Sequence, residues 1–302
     1  MTKIKTLISI VGPTAVGKTA MGVLIAKHFN TEIISADSRQ IYQELAIGTA
    51  KPTLAEMQGV KHHFIDSLSI TTHFSAGDFE KQGLILLDQL FKIHDVVVMV
   101  GGSGLFVKAI TEGFDEMPKV EEHIRESLNT QLATNGLPPL LEQLQHLDPD
   151  YFETVDKHNA QRVVRALEVC ISAGKPYSIF RIANAITRNF NTISIGLNTE
   201  REILYDKINH RMDLMLAAGL VKEASAVIAH RNEYALQTVG YTEVFGYLDN
   251  QYEYDEMVAL LKRNSRRYAK RQLTWFKKDP QTFWFAPTDF DKIMLHIDGL
   301  LK

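Results

Sequence analysis

The chain has 302 residues, 33 Lys and Arg against 36 Asp and Glu, a formal net charge of −3, and 45% hydrophobic with 23% charged residues. These values match ordinary globular proteins and exclude disordered, collagenous and coiled-coil readings; no run reaches the roughly 18 apolar residues of a membrane span. The length predicts two structural units, or one α/β core carrying an insertion. The opening passes from two lysines directly into a strand-like segment without the apolar region of a signal peptide, so a cytoplasmic protein is expected. A single cysteine, Cys170, excludes internal disulfides and a cysteine-framed zinc site, and its apolar neighbours mark it as a small buried hydrophobe.

In chain order, residues 6–11 (TLISIV) form a short β-branched apolar run, followed by a glycine-bearing turn and helical spacing over residues 20–29. Residues 32–36 and 96–100 are further apolar runs of strand length, ending at Asp37 and Gly101. Their hydrophobicity is continuous rather than alternating, as in strands covered on both faces, so a parallel sheet flanked by helices is predicted. After Pro118 the character changes. Residues 121–133, 140–147 and 159–173 read as helices punctuated by Gly136, Pro138, Pro139 and Pro149, with no strand until residues 192–197. This predicts a helical insertion at 119–189, with residues 1–118 and 190–302 forming the core. The tail returns to helices at 200–218, stopped by Gly219, at 221–230, and finally over about 255–276.

Gly12, Pro13, Thr14, Ala15, Val16, Gly17, Lys18 and Thr19 fit the pattern G-x-x-x-x-G-K-[ST] and lie between the first strand and the first helix. Glycines let backbone N–H groups converge on one point, the helix N-terminus adds partial positive charge there, and Lys18 and Thr19 supply a cation and a hydroxyl for Mg²⁺. A diphosphate or triphosphate is the expected ligand; a Gly-Pro turn that merely starts a helix is the plainer alternative. The loop leaves the reaction open. Hydrolytic members of this class end a second strand in an Asp that holds Mg²⁺, whereas the 96–100 run leads into Gly101-Gly102-Ser103-Gly104. That turn is either structural or brings the Ser103 hydroxyl to a substrate.

Asp37 does cap a strand, in Ser35-Ala36-Asp37-Ser38-Arg39-Gln40, and strand carboxyl ends are where α/β proteins place chemistry. It is the candidate general base, an Asx turn or helix N-cap being the structural alternative. His62-His63 invites a metal reading, but consecutive strand residues point to opposite faces, which favours ordinary hydrogen bonding. Between residues 261 and 278 stand eight basic residues and no acidic one, interleaved with Tyr268, Trp275 and Phe276. This stripe is either a solvated helix face or an RNA-binding surface.

Taken together, GPTAVGKT (12–19), SADSRQIY (35–42), HHFID (62–66), GGSGLF (101–106), QRVVRALEV (161–169), MLAAGLVKEA (215–224), TVGYTE (238–243) and RRYAKRQLTWFKK (266–278) resemble the bacterial tRNA dimethylallyltransferase (tRNA isopentenyltransferase) family. The resemblance implies transfer of a dimethylallyl group from dimethylallyl diphosphate to N6 of the adenosine just 3′ of the anticodon. It implies that residues 14–19 hold the donor diphosphate and that Asp37 takes the amine proton. Ser38, Arg39 and Gln40 would contact tRNA near a flipped adenine, joined by Asp37 and Ser103. In the insertion, Arg125, Gln161, Arg162, Val163, Val164 and Arg165 match tRNA-contacting positions. Ser103 stands where many members have Thr, which retains the hydroxyl and with it an implied catalytic contact to the reacting region beside Asp37; Phe106 replaces a common Tyr, and Lys207 falls where an Arg is expected. The partners implied are tRNA and dimethylallyl diphosphate, with Mg²⁺ as cofactor, no membrane, and a monomer. The fold expected is α/β, a P-loop NTPase-like parallel sheet with an all-helical insertion. Two other readings share the loop: an ATP-dependent nucleoside or nucleotide kinase, which has no need of the long basic helix, and a non-catalytic RNA-binding nucleotide switch.

Overall fold

The computed structural model describes residues 4–181 and 187–301. The chain divides into two compact units, Gly113–Ile186 and the sequence on either side of it.

The larger unit is built on one sheet of six parallel strands in the order β3-β2-β4-β1-β5-β6. These strands are β1 (Thr6–Val11), β2 (Ile33–Ser35), β3 (His62–His63), β4 (Val96–Val100), β5 (Asn191–Leu197) and β6 (Phe283–Phe285). β1 lies at the centre, with Ile8 beside Val98 on one flank and Ile193 on the other. The continuous apolar runs follow from burial on both faces. Leu7, Val11, Val97 and Met99 enter one hydrophobic cluster, while Ile8, Ile10, Val96 and Val98 enter a second on the opposite face. A one-residue slip of β1 would exchange the two sets, so both cores hold the register.

Two short edge strands, β3 and β6, complete the sheet without a sequence signal of their own. In β3, the ring of His62 donates from Nδ1 to the Val60 carbonyl at 2.9 Å, and His63 Nε2 meets Glu32 at 2.5 Å. Both rings are thus engaged in ordinary hydrogen bonding, and among the described residues no group of three metal-binding side chains occurs. The helix Ala76–Leu90 begins at a capping box, Ser75 Oγ accepting from Asp78 N while the Asp78 carboxylate accepts from Ser75 N. The expected helix at 221–230 is shorter, Leu220–Ala226, and runs into a single tight turn at Ile228–His230. No helix among the described residues is long and apolar enough to cross a membrane.

Among its described residues the smaller unit holds helices and no strand, with Glu122–Asn135, Pro138–Leu147, Pro149–Thr154 and Ala160–Ala173 packed around Leu128, Leu140, Leu144, Tyr151 and Leu167. Pro138 and Pro149 stand in the first turns of their helices, where a missing N–H costs nothing. The buried Asp148 caps one of these helices at Tyr151 N and accepts from both the backbone and hydroxyl of Ser178, so the charge has three donors. The unit's limits fall earlier than the 119 and 189 read from sequence. Arg188 donates to the carbonyls of Ala109 and Ile110 and pairs with Glu80, which commits it to the larger unit.

Candidate active site

β1 delivers the chain into the phosphate loop at its carboxyl end, and the helix Lys18–His28 leaves it. Gly17 caps that helix with a φ of 109°, in the left-handed region that favours glycine, and no side chain caps the first turn. The first N–H groups therefore remain free to face an anion. Lys18 Nζ folds back to the Pro13 carbonyl at 2.8 Å. Burial lowers its pKa to about 8, partly offset by Asp37 and reinforced by Arg211. A cation held this close to neutrality responds strongly to an arriving negative charge.

Across from the loop, Asp37 follows β2. Its Oδ1 accepts from Arg39 N at 2.9 Å and Gln40 N at 3.3 Å, an Asx turn that aims the carboxylate and leaves Oδ2 without a hydrogen-bond partner among the described residues. The Asx turn expected as the structural alternative is thus present, and it orients the Asp37 carboxylate. Ser103 accepts from Ser38 N at 2.9 Å and donates to Ser38 Oγ at 3.1 Å. These bonds tie the glycine turn after β4 to the Asp37 turn, so the Ser103 hydroxyl serves to hold that turn.

A cavity of about 350 Å³ joins these parts. At its polar end are Thr14, Ala15, Gly17, Lys18 and Thr19, with Asp37, Arg39 and Gln40 beside them; Ile208, Met212, Met215, Leu220 and Val239 supply apolar wall. Gly12, Pro13 and Val16 shape the loop from behind, Val16 being 1% exposed in the core. Gln40 donates its side-chain amide to the carbonyls of Thr49 and Ala50, both at 3.2 Å, so it braces the cavity wall.

Sequence reasoning missed three side chains here. Gln272 is 7% exposed on the long basic helix; its Oε1 accepts from Thr14 N at 2.8 Å and its Nε2 donates to the Gly102 carbonyl at 2.9 Å. One amide thus pins the phosphate loop to the turn after β4. Tyr268, one helical turn earlier, lines the same cavity. Burial, then the Asp37 charge, push its phenol well above the ordinary value, so it remains a hydrogen-bond donor. Arg211 also lines the cavity, and no hydrogen bond or ion pair within the described residues engages it. The available signal was a Gln on the apolar stripe of a cationic helix, where packing alone would favour apolar residues.

The basic helix, Tyr254–Phe276, buries Met257, Leu261, Ser265, Ala269, Gln272 and Phe276 along one stripe. Of the eight cations, Lys262 pairs with Asp213 at 2.6 Å and Arg266 donates to Asn209 at 2.6 Å. Arg263, Arg267, Lys270, Arg271, Lys277 and Lys278 are exposed.

In the helical unit, Gln161 and Arg162 are exposed. Arg125 and Arg165 are half-exposed and share the buried Glu168, through Arg125 Nε at 2.8 Å and Arg165 Nη1 at 2.9 Å. Val163 and Val164 are a correction to the expected RNA contacts. Their side chains are 0% and 6% exposed in the unit's core, because helical periodicity turns this face inward from the flanking arginines.

A family model described as IPP transferase matches residues 40–279. The chain is 52% identical to a tRNA dimethylallyltransferase of Cytophaga hutchinsonii over 298 residues, covering 99% of this chain and 98% of that one. It is 49% identical to a tRNA dimethylallyltransferase of Christiangramia forsetii over 286 residues, 95% of this chain and 94% of that one. Among solved structures, the full-length tRNA isopentenylpyrophosphate transferase of Bacillus halodurans superposes with a TM-score of 0.72 at 38% identity, covering 98% of this chain and 95% of that one.

Proposed function

The chain belongs to the IPP transferase family, and from that premise we propose that it transfers the dimethylallyl group of dimethylallyl diphosphate to N6 of the adenosine at position 37 of tRNA, releasing diphosphate. The observation that carries this reading is a single cavity that brings together an anion-binding loop, a carboxylate with a free oxygen, and an apolar wall. A kinase also uses an anion-binding loop and a carboxylate base; the apolar wall beside them is what favours a prenyl donor.

The chemistry follows from the residues. Adenine N6 is a weak nucleophile because its lone pair is delocalised into the ring. As N6 attacks C1 of the donor, the C1–O bond breaks and the electron pair leaves with the diphosphate; Oδ2 of Asp37 takes the N6 proton. Charge accumulates on the leaving oxygens, where Lys18, the free N–H groups of the loop and the unengaged Arg211 stabilise it. Ile208, Met212 and Met215 offer the five-carbon group a surface that excludes water, which protects an allylic cation from hydrolysis. The adenine must leave its stack to reach Asp37, and the exposed cations of the basic helix are suited to hold RNA backbone while it does.

The Thr19 hydroxyl lines the cavity beside Lys18 and has no hydrogen-bond partner within the described residues. One hydroxyl together with a diphosphate and water is a donor set that fits Mg²⁺. When bound there, the ion would neutralise charge on the diphosphate.

The test is to incubate the protein with labelled dimethylallyl diphosphate, labelled ATP and tRNA. The expected result is prenyl label on the tRNA with ATP intact. Phosphoryl transfer from ATP, or RNA binding without transfer of either label, would overturn the reading.

A further inference from the structure

Segment 45–52 supplies Gly48, Thr49, Ala50, Lys51 and Pro52 to the cavity wall, yet it is neither strand nor helix. Its backbone carries strain, Ala50 sitting at a φ of 50° in the left-handed region, a conformation that persists only when surroundings impose it. The first part of the segment is held by Glu223. Its Oε2 accepts from Ala46 N at 3.0 Å and Ile47 N at 2.8 Å, and its Oε1 from Gly48 N at 2.9 Å and the Tyr241 hydroxyl at 2.7 Å. No lysine or arginine within the described residues pairs with it.

Three consecutive backbone N–H groups around one carboxylate form an anion nest, and such charge-assisted bonds are about twice as strong as neutral ones. Tyr241 is 0% exposed and fixed. Its ring lies against Gly48 so closely that a Cβ there would come within 2.6 Å of Cζ. The other side of the segment is braced by Gln40, three residues after Asp37, through the carbonyls of Thr49 and Ala50. A chain of direct contacts therefore runs from Glu223 through the segment to the Asp37 turn.

We propose that Glu223 is a positioning residue for the transfer reaction: its carboxylate, filling the nest of Ala46, Ile47 and Gly48, holds the cavity wall and through Gln40 the turn that carries Asp37. The proposal rests on the prenyl-transfer reading for its kinetic part, but the clamp itself is independent of it.

Glu223→Ala removes a group the size of acetate and leaves the nest half-buried, within reach of a small solute. The variant should lose up to ~10²-fold in single-turnover transfer rate, the scale for misplacing reacting groups by about an ångström. Hydrogen exchange at the amides of Ala46, Ile47 and Gly48 should quicken. Added acetate, at constant ionic strength, should restore both rate and protection in a saturable way; uncharged acetamide should restore neither, and wild type should ignore acetate. Glu223→Gln fills the space but offers one acceptor oxygen to three N–H groups. It should show the loss without acetate relief, and it serves as the main variant if Glu223→Ala does not fold. A folded Glu223→Gln protein with wild-type rate and exchange would overturn the proposal. So would an acetate-loaded Glu223→Ala protein whose amides are protected again while transfer remains slow. If wild type itself transferred no prenyl group, the functional reading would fail, and the exchange measurement would still decide the clamp.

Discussion

Burial lowers the pKa of Lys18 to about 8, with Asp37 opposing and Arg211 adding to the shift, from an ordinary 10.5. Between these two pH values the unfolded chain holds a proton that the folded chain has released, so the Lys18 contribution to stability rises with pH across that window. Ligand binding has the opposite sign, because an anion needs the charged amine. Affinity for inorganic diphosphate, measured by calorimetry, should fall as pH rises through about 8, and Lys18→Ala should bind weakly without that pH limb. Wild-type affinity in a folded Lys18→Ala protein would remove the lysine from the phosphate site. At Asp37, substitution by Asn keeps the shape of the Asx turn but removes the proton acceptor. The single-turnover rate should drop by ~10²- to 10⁴-fold with donor and tRNA affinities nearly unchanged, and the acid limb of the rate profile should vanish. Were Asp37 a metal ligand instead, weakened donor binding relieved by added Mg²⁺ would be seen.

The long basic helix performs two tasks on two faces. Its inner face places Tyr268 and the buried Gln272 in the cavity, one helical turn apart, while Arg267, Lys270 and Arg271 are exposed. Replacing Arg266, Arg267, Lys270 and Arg271 together with Ala should raise the tRNA dissociation constant and flatten its log–log dependence on salt by up to ~0.9 for every RNA phosphate that is no longer neutralised. Donor binding should be unaltered, since none of the four lines the cavity. An unchanged salt slope in titrations of the quadruple variant would make this face merely solvated and leave RNA binding to the helical unit. There, Glu168 fixes Arg125 and Arg165 as a pair on neighbouring helices, so a guanidinium of each is held in place before any ligand arrives.

At the scale of the whole molecule, the chain folds as two units with separate cores, and every residue lining the cavity beside Lys18 and Asp37 belongs to the larger one. Damage to the helical unit should therefore separate the two substrates. Leu144 is 0% exposed in its core, and Leu144→Ala should cost ~2–5 kcal/mol there by leaving a cavity. Calorimetric binding of dimethylallyl diphosphate should persist in this variant while tRNA affinity falls. Parallel loss of both affinities would mean that the donor site depends on the helical unit's integrity.

Much of this protein was legible in its sequence because the relevant forces are local. Continuous apolar runs ending at Val11 and Val100 are strands covered on both faces; Gly17 and Lys18 start a helix after a glycine-bearing loop; Pro138 and Pro149 mark helix starts in the insertion. Steric limits and hydrogen bonds over a few residues dictate each of these. Short strands such as Phe283–Phe285 were not legible, since three residues carry no periodicity and their pairing to β5 comes only from the assembled sheet. The inward face of Val163 and Val164 was written in helical spacing but hidden by the flanking arginines. Tertiary structure alone decided how Gln272 meets Thr14, how Arg211 reaches the cavity, and how Glu223 fills the nest at residues 46–48. These residues lie far along the chain from what they meet, so no local pattern links them; Gln272 and Glu223 settle where partly buried backbone N–H groups need an acceptor.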